Sequence, residues 1–132
     1  MRKKAKKPVK KNKQLDITKV VLLSARVAHE VNRAYCQHLG DESQPGWVQA
    51  PDWQQQSAVD GMVSAFRNPE ITPAQSHSMW MAQKTSDGWV HGDVKDPEKK
   101  THPCIVPWDQ LPAEQRLTDS LFLAVARAMF GR

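Results

Sequence analysis

His29, Asn32 and Arg33 stand at positions i, i+3 and i+4 of a segment with helical periodicity, so the three side chains share one face and can converge on one point. Gln44 and Trp47 follow in the next polar stretch. Trp89, His91, Lys95, Lys100 and His102 gather in a glycine-bracketed stretch further along the chain. Indole faces, cations and side-chain amides are what a pocket for a planar anionic ligand needs: the ring stacks, the guanidinium or ammonium meets phosphate, and the amides read hydrogen-bonding edges. The candidate ligand-binding set is therefore Asn32, Arg33, Gln44, Trp47, Trp89, Lys95, Lys100 and His102. In that set Trp47 and Trp89 stack, Arg33, Lys95 and Lys100 meet phosphate, and the others orient the ligand. The residues alone also support a plainer account, in which His29 and Asn32 clasp neighbouring loops and Trp47 is a core residue pinning its own.

Covalent chemistry has no comparable signature. The chain contains no GxSxG, Walker A, HExxH or EF-hand pattern. His29-Glu30 opens like a zinc-protease helix, but Arg33 occupies the place of the second histidine. Cys36 and Cys104 form no CxxC pair, which excludes a disulfide scaffold and a cysteine-rich zinc fold. Cys104 with His91 or His102 makes a nucleophile and base by inventory only, and beside Pro103 and Ile105 the thiol reads better as a small buried hydrophobe. No enzyme activity, metal site or cofactor is expected.

The elements that must position these residues follow from periodicity and punctuation. Asp16 or Thr18 can cap a first helix running to Leu39, with Val20, Leu23, Val27, Val31, Ala34 and Tyr35 as its buried stripe and Gly40 beyond its end. A loop carrying Trp47 leads to a second helix over 52–67, where Gly61 suggests close approach of another backbone and Asn68-Pro69 ends the run. Thr72-Pro73-Ala74-Gln75 reads as a capping box opening a third helix to about Lys84, with His77, Trp80, Met81 and Lys84 on one face. Two extended pieces, 88–94 and 101–107, are expected as a small hairpin or as an arm lying on the helices. A last helix follows Pro112, with Leu117, Leu121, Phe122, Val125, Met129 and Phe130 as its stripe and a break near Thr118. The expected fold class is mainly α: a compact bundle of about four helices with a short extended β-hairpin or arm.

Length bounds the answer to one domain, at 132 residues. The formal charge of +5 misleads: eight of the 19 basic residues lie in residues 1–13, and the other 11 face 14 acidic ones, a net of −3. Such a basic, apolar-poor run cannot offset its ordering entropy, so residues 1–15 are expected to be a disordered tail and residues 16–132 the domain. The tail suits weak, non-specific, salt-sensitive contact with nucleic acid, and its lack of aromatics argues against base-specific reading. No membrane-length apolar run and no secretory leader is present, so a cytoplasmic protein without membrane contact is expected.

The stretch from His77 to Arg116 carries a longer pattern. His77, Trp80, Lys84, Gly88, Trp89 and Gly92 are followed by Lys95-Asp96, by Lys100-Thr101-His102-Pro103-Cys104, by Ile105-Val106-Pro107-Trp108, and by Leu111-Pro112 and Gln115-Arg116. This order resembles the Ry repeat, found in pairs in ryanodine receptors and as small solitary proteins in bacteria and bacteriophages. His29-Glu30, Asn32-Arg33, Gly40-Asp41, Ser43-Gln44-Pro45, Trp47 and Ser57-Ala58 resemble the prokaryotic form, so the likeness spans about residues 20–130. The sequence departs at His91, where the family more often has tyrosine, and at Thr118, where the prokaryotic form tends to have lysine. The resemblance implies a compact helical fold and no enzyme activity. It implies interaction and regulatory roles in the receptors and, for solitary members, sensing of nucleotide-derived signals.

Together these observations lead to a non-enzymatic Ry-domain protein that binds a small nucleotide-derived or phosphorylated ligand as sensor or sink, in the host cytoplasm if phage-encoded. A protein–protein interaction module anchored by Trp47, Trp53 and Trp108 is the first alternative. Nucleic-acid contact through the tail is the second. On the first reading, Arg33→Ala or Trp89→Ala should abolish binding and leave the fold intact.

Overall fold

The computed structural model describes residues 16–132; the expectations for the basic tail lie outside the described residues. Helix α1 (Ile17–His38) opens at Asp16, whose carboxylate accepts the backbone N–H groups of Thr18 and Lys19 at 3.1 and 3.4 Å. Its buried face is Val21, Ser24, Ala25 and Ala28. The expected stripe is out of phase with this face, for Leu23 is 52% exposed and Ala34 lies on the surface. The reason is geometric: α1 is straddled by two helices, and small side chains on the line of contact let both approach closely while the larger aliphatics flank it.

Those two neighbours are α2 (Asp52–Arg67) and α4 (Ala113–Met129). Met62 is fully buried on α2, and a Cβ at Gly61 would lie 2.8 Å from Phe122 Cζ, so the close approach expected there is to a phenyl ring of α4 and not to backbone. Helix α4 is continuous through Thr118, whose hydroxyl donates to the Gln115 carbonyl at 2.7 Å, and the expected break is absent. Of its expected stripe Leu117 is exposed, and the buried positions of α4 are Leu123 and Ala126, which the expected stripe did not include. Helix α3 (Pro73–Ser86) begins with the expected capping box: Thr72 accepts the Gln75 N–H and Gln75 accepts the Thr72 N–H. It closes the bundle against α4 and α2.

Strands β1 (Val90–His91) and β2 (Thr101–His102) pair in parallel, Val90 opposite Thr101 and His91 opposite His102. The extended region is thus an arm and not a hairpin. Its chain reversal lies between the strands, where Asp96 and Thr101 exchange backbone hydrogen bonds of 3.0 and 3.1 Å.

The hydrophobic core comprises Val21, Ala25, Ala28, Met62, Ala65, Ile71, Leu123 and Ala126. It occupies the half of the bundle holding the start of α1 and the ends of α2 and α4. Phe66 meets Phe130 edge-on beside it, and Arg127 ties α4 to the Ile71 carbonyl at 2.8 Å. No described helix is long and apolar enough to cross a membrane.

Candidate ligand pocket

The other half of the bundle interior is a cavity of about 530 Å³, lined by all four helices and the arm. That volume is in the range of small-molecule sites, ~300–1,000 Å³. Trp53 and Met79 line it while being 40% and 44% exposed, so the cavity reaches the surface beside them.

Its most unusual wall is built by the end of α3. Gly88, at φ 90°, adopts the left-handed conformation that stops the helix. The Trp89 N–H then bonds the Lys84 carbonyl at 2.9 Å and the Gly88 N–H bonds that of Thr85 at 3.0 Å, a Schellman turn. This turn folds Trp89 back over the last turn of its own helix. Where an apolar pair normally accompanies the turn, Lys84 packs instead. Its ammonium lies 5.0 Å from the Trp89 ring centroid and 4.6 Å from that of Trp53, which α2 supplies from the other side. Lys84 is only 5% exposed. Burial lowers its pKa below the usual lysine range, partly countered by Asp87.

Lys95, half-buried, lines the same cavity from the arm. Burial depresses its pKa too, against the opposing pull of Asp41 and of the Cys36 and Cys104 thiols. Among the described residues no carboxylate forms an ion pair with either ammonium. Two cations therefore face one cavity without a direct ion pair, and Asp41 and Asp87 act on them only from longer range. The cation–π contacts stabilise the charge on Lys84 but supply no anion.

Imidazoles complete the aromatic lining. His102 Nδ1 accepts the Cys104 N–H at 3.0 Å, which places its ring proton on Nε2. Burial, followed by Lys95 and Lys84, brings its pKa down to about 4, so the ring is neutral near pH 7. Trp80 packs edge-on to His102 at 5.0 Å and stacks on His77 at 5.6 Å. The Cys104 thiol donates to Gln115 Oε1 at 3.6 Å and is pushed up to about 11 by burial, so it stands as a neutral hydrophobe. No group of three or more His, Cys, Asp or Glu side chains suited to hold a metal ion occurs among the described residues.

Of the eight candidates read from the sequence, Asn32, Gln44, Trp89, Lys95 and His102 line the cavity, and Arg33, Trp47 and Lys100 do not. Arg33 pairs with Glu30 at 3.2 Å, and the other Glu30 oxygen accepts the Trp47 N–H at 2.8 Å. His29 Nε2 donates to the Pro45 carbonyl at 2.7 Å, and its ring meets Trp47 edge-on at 5.5 Å. These contacts make the His29 and Glu30 side chains clasps for the 40–50 loop, with Trp47 pinned against the core. Lys100 donates its ammonium proton to the Asp87 carbonyl at 2.8 Å and supports the α3 turn from outside.

The sequence reading missed Lys84, Trp53, His77, Trp80, Gln115 and Asp119 as cavity residues. One signal pointed to three of them. His77, Trp80 and Lys84 sit at i, i+3 and i+7, and that spacing had placed them on one face of the third helix. That face looks into the cavity.

With the geometry in place, the comparison with known families is direct. The family model described as RyR domain matches residues 68–124, which span α3, the arm and the first two-thirds of α4. The stretch holds Lys84, Trp89, Lys95, His102 and Asp119, so one wall of the cavity is made of matched residues throughout, and the chain carries a RyR domain.

Proposed function

We propose that this RyR-domain protein is a non-enzymatic binder of a small nucleotide-derived or otherwise phosphorylated ligand, held in the interhelical cavity and acting as a sensor or sink. The observation that carries the reading is the pair of ammonium groups without a direct ion pair, Lys84 and Lys95, facing one cavity walled by Trp53, Trp80 and Trp89. A buried charge without a partner costs free energy. A bound anion removes that cost, and the indoles offer faces for a planar ring. Gln44, Gln83 and Asn32 supply amide edges to orient it.

The test is thermal unfolding of the full chain against adenine nucleotides, ADP-ribose forms and cyclic dinucleotides. A ligand at a hundred times its dissociation constant adds ~2.7 kcal/mol. In a domain of this size that raises Tm by roughly ten degrees. A shift confined to one compound class, lost in Lys84→Met, establishes the reading and names the chemistry. No shift with any of them moves the weight to a protein-interaction module, for which Trp53 is the one exposed indole.

A further inference from the structure

Away from the cavity, the outer face of α1 carries a pattern that packing of the bundle does not require. Lys19, Leu22, Leu23 and Arg26 stand at i, i+3, i+4 and i+7, so they share one face, and all four are exposed. Leu22 is 48% exposed and Leu23 52%. The inward line of the same two turns is held by Val21, Ser24 and Ala25, which are buried. The helix therefore has two apolar aspects, one covered by α2 and α4 and one, set between cations, covered by nothing among the described residues.

Charge is concentrated on the same stretch. The eight basic residues among the first 13, with Lys19 and Arg26, make ten before Glu30, against one acid, Asp16. The Asp16 carboxylate is engaged in the helix cap, where it accepts the Thr18 and Lys19 N–H groups. From Glu30 onward the chain holds nine basic and 13 acidic residues, so the positive charge belongs to this one stretch. A second copy meeting on this face would set Lys19 and Arg26 against their own like charges. A nucleic acid would give phosphate to the cations but nothing apolar to the leucines, and residues 1–29 hold no Phe, Trp or Tyr to stack on bases. An anionic lipid surface matches both halves of the pattern: charged headgroups for the ammonium and guanidinium groups, and acyl chains just beneath them for the leucines.

We propose that the outer face of α1, with the basic run that precedes it, is a docking surface for an anionic phospholipid membrane. Leu22 and Leu23 enter the acyl boundary, and Lys19, Arg26 and the basic run meet the headgroups. The contact is peripheral, since no described helix is long and apolar enough to cross a membrane. The expectation of a protein without membrane contact rested on the lack of a membrane-length apolar run, which a helix lying on the surface does not need. Docking does not involve the cavity, because none of the four residues lines it; α1 gives the cavity Ala28, His29, Asn32 and Cys36 instead.

The experiment is co-sedimentation of the full chain with vesicles of phosphatidylcholine alone and with vesicles of equal parts phosphatidylcholine and phosphatidylserine. The chain should pellet with the mixed vesicles and not with the neutral ones, and added salt should weaken the binding because it screens exposed charges. Leu22→Ser combined with Leu23→Ser should lower affinity for the mixed vesicles about tenfold. Both side chains are already half exposed, so thermal unfolding should show the fold retained. Lys19→Glu combined with Arg26→Glu, which leaves the leucines in place, should weaken binding at least as much. Failure to pellet with the mixed vesicles overturns the proposal. So does pelleting that the leucine substitutions leave unchanged, which would reduce the contact to the charge of the basic run. Duplex DNA that strips the chain from the mixed vesicles at equal phosphate concentration makes a nucleic acid the preferred partner and overturns it too. Self-association in place of vesicle binding, abolished by the leucine substitutions, gives the face to a second copy with the same result.

Discussion

Three of the four helices change character along their length, and the change falls at the same level of the bundle. Helix α1 runs from Val21, Ala25 and Ala28 to Asn32 and Cys36; α2, in the opposite sense, from Trp53 and Ser57 to Met62 and Ala65; α4 from Gln115 and Asp119 to Leu123 and Ala126. One half of the interior is dry and closely packed. The other half is a cavity with two ammonium groups, three indoles and the His77–Asp119 pair. Buried polar and charged groups that lack full pairing are costly, so a chain of this size can hold such a cavity only if the opposite half supplies the stability. The division predicts that substitutions in the two halves will separate stability from binding.

The strongest way to break that comparison is in the dry half. Leu123 is 1% exposed in the centre of the core cluster. Leu123→Ala should cost about 2–5 kcal/mol, from lost burial and the void left behind. Denaturant unfolding reads it directly. A loss under about 1 kcal/mol would show that the cluster is not the stabilising half.

The arm belongs to the cavity half. A Cβ at Gly92 would come within 2.6 Å of Thr101 Cβ, so Gly92→Ala must push β1 off β2. Overpacking of this kind costs ~1–3 kcal/mol. Because the displaced strand follows Trp89, the variant should also shift tryptophan emission to longer wavelength. Unchanged emission would detach Trp89 from the arm.

How much of this division was legible beforehand depended on whether a signal was local. The bounds of α2, the capping box at Thr72 and the end of α1 before Gly40 are written in neighbouring residues and match, whereas α3 runs two residues past the expected Lys84, to Ser86. The phase of the α1 stripe was misread because Ser24, Ala25 and Ala28 are weak hydrophobic markers, and their burial is set by two partner helices. The parallel pairing of β1 and β2 depends on a reversal placed inside the connection. Lys84 could be placed on one helix face with His77 and Trp80, but its burial could not be read, and Asp119 carried no signal at all. Only tertiary neighbours bury them, so no window of sequence could separate them from solvated charges. Lys95 and His102 were reachable because they sit among glycines and aromatics, in a stretch with no core periodicity to explain them.

Lys84→Met tests the cavity half and should run opposite to Leu123→Ala. Its folded pKa lies below the ordinary lysine value, so the native state binds fewer protons than the unfolded chain. The penalty is therefore in force at neutral pH and fades as pH rises toward 10.5, the ordinary value for lysine. Methionine keeps the length and removes that penalty, together with the two cation–π contacts. The expected net effect on Tm at pH 7 is small, on the order of 1 kcal/mol either way, and nucleotide binding is lost. A destabilisation as large as that of Leu123→Ala would show that Lys84 holds the fold together and is not kept for a ligand.

The smallest effect is expected at Arg33, and it is the sharpest of the four. On sequence alone Arg33 belonged with the phosphate-binding cations, and its exchange for alanine was expected to abolish binding. The structure puts its guanidinium on Glu30 at 3.2 Å, with both side chains more than a third exposed and outside the cavity lining. Half-exposed pairs at this spacing contribute ~0–1 kcal/mol. Glu30 retains its second bond, to the Trp47 N–H, which is also the main reason its pKa is lowered, so the clasp on the loop survives loss of the arginine. Arg33→Ala should then change Tm by a degree or two and leave nucleotide affinity within about twofold. Glu30→Gln, which weakens the clasp itself, should cost more than Arg33→Ala in the same unfolding experiment. Loss of nucleotide binding in Arg33→Ala with the fold intact would extend the cationic wall across α1 and erase the boundary between clasp and pocket.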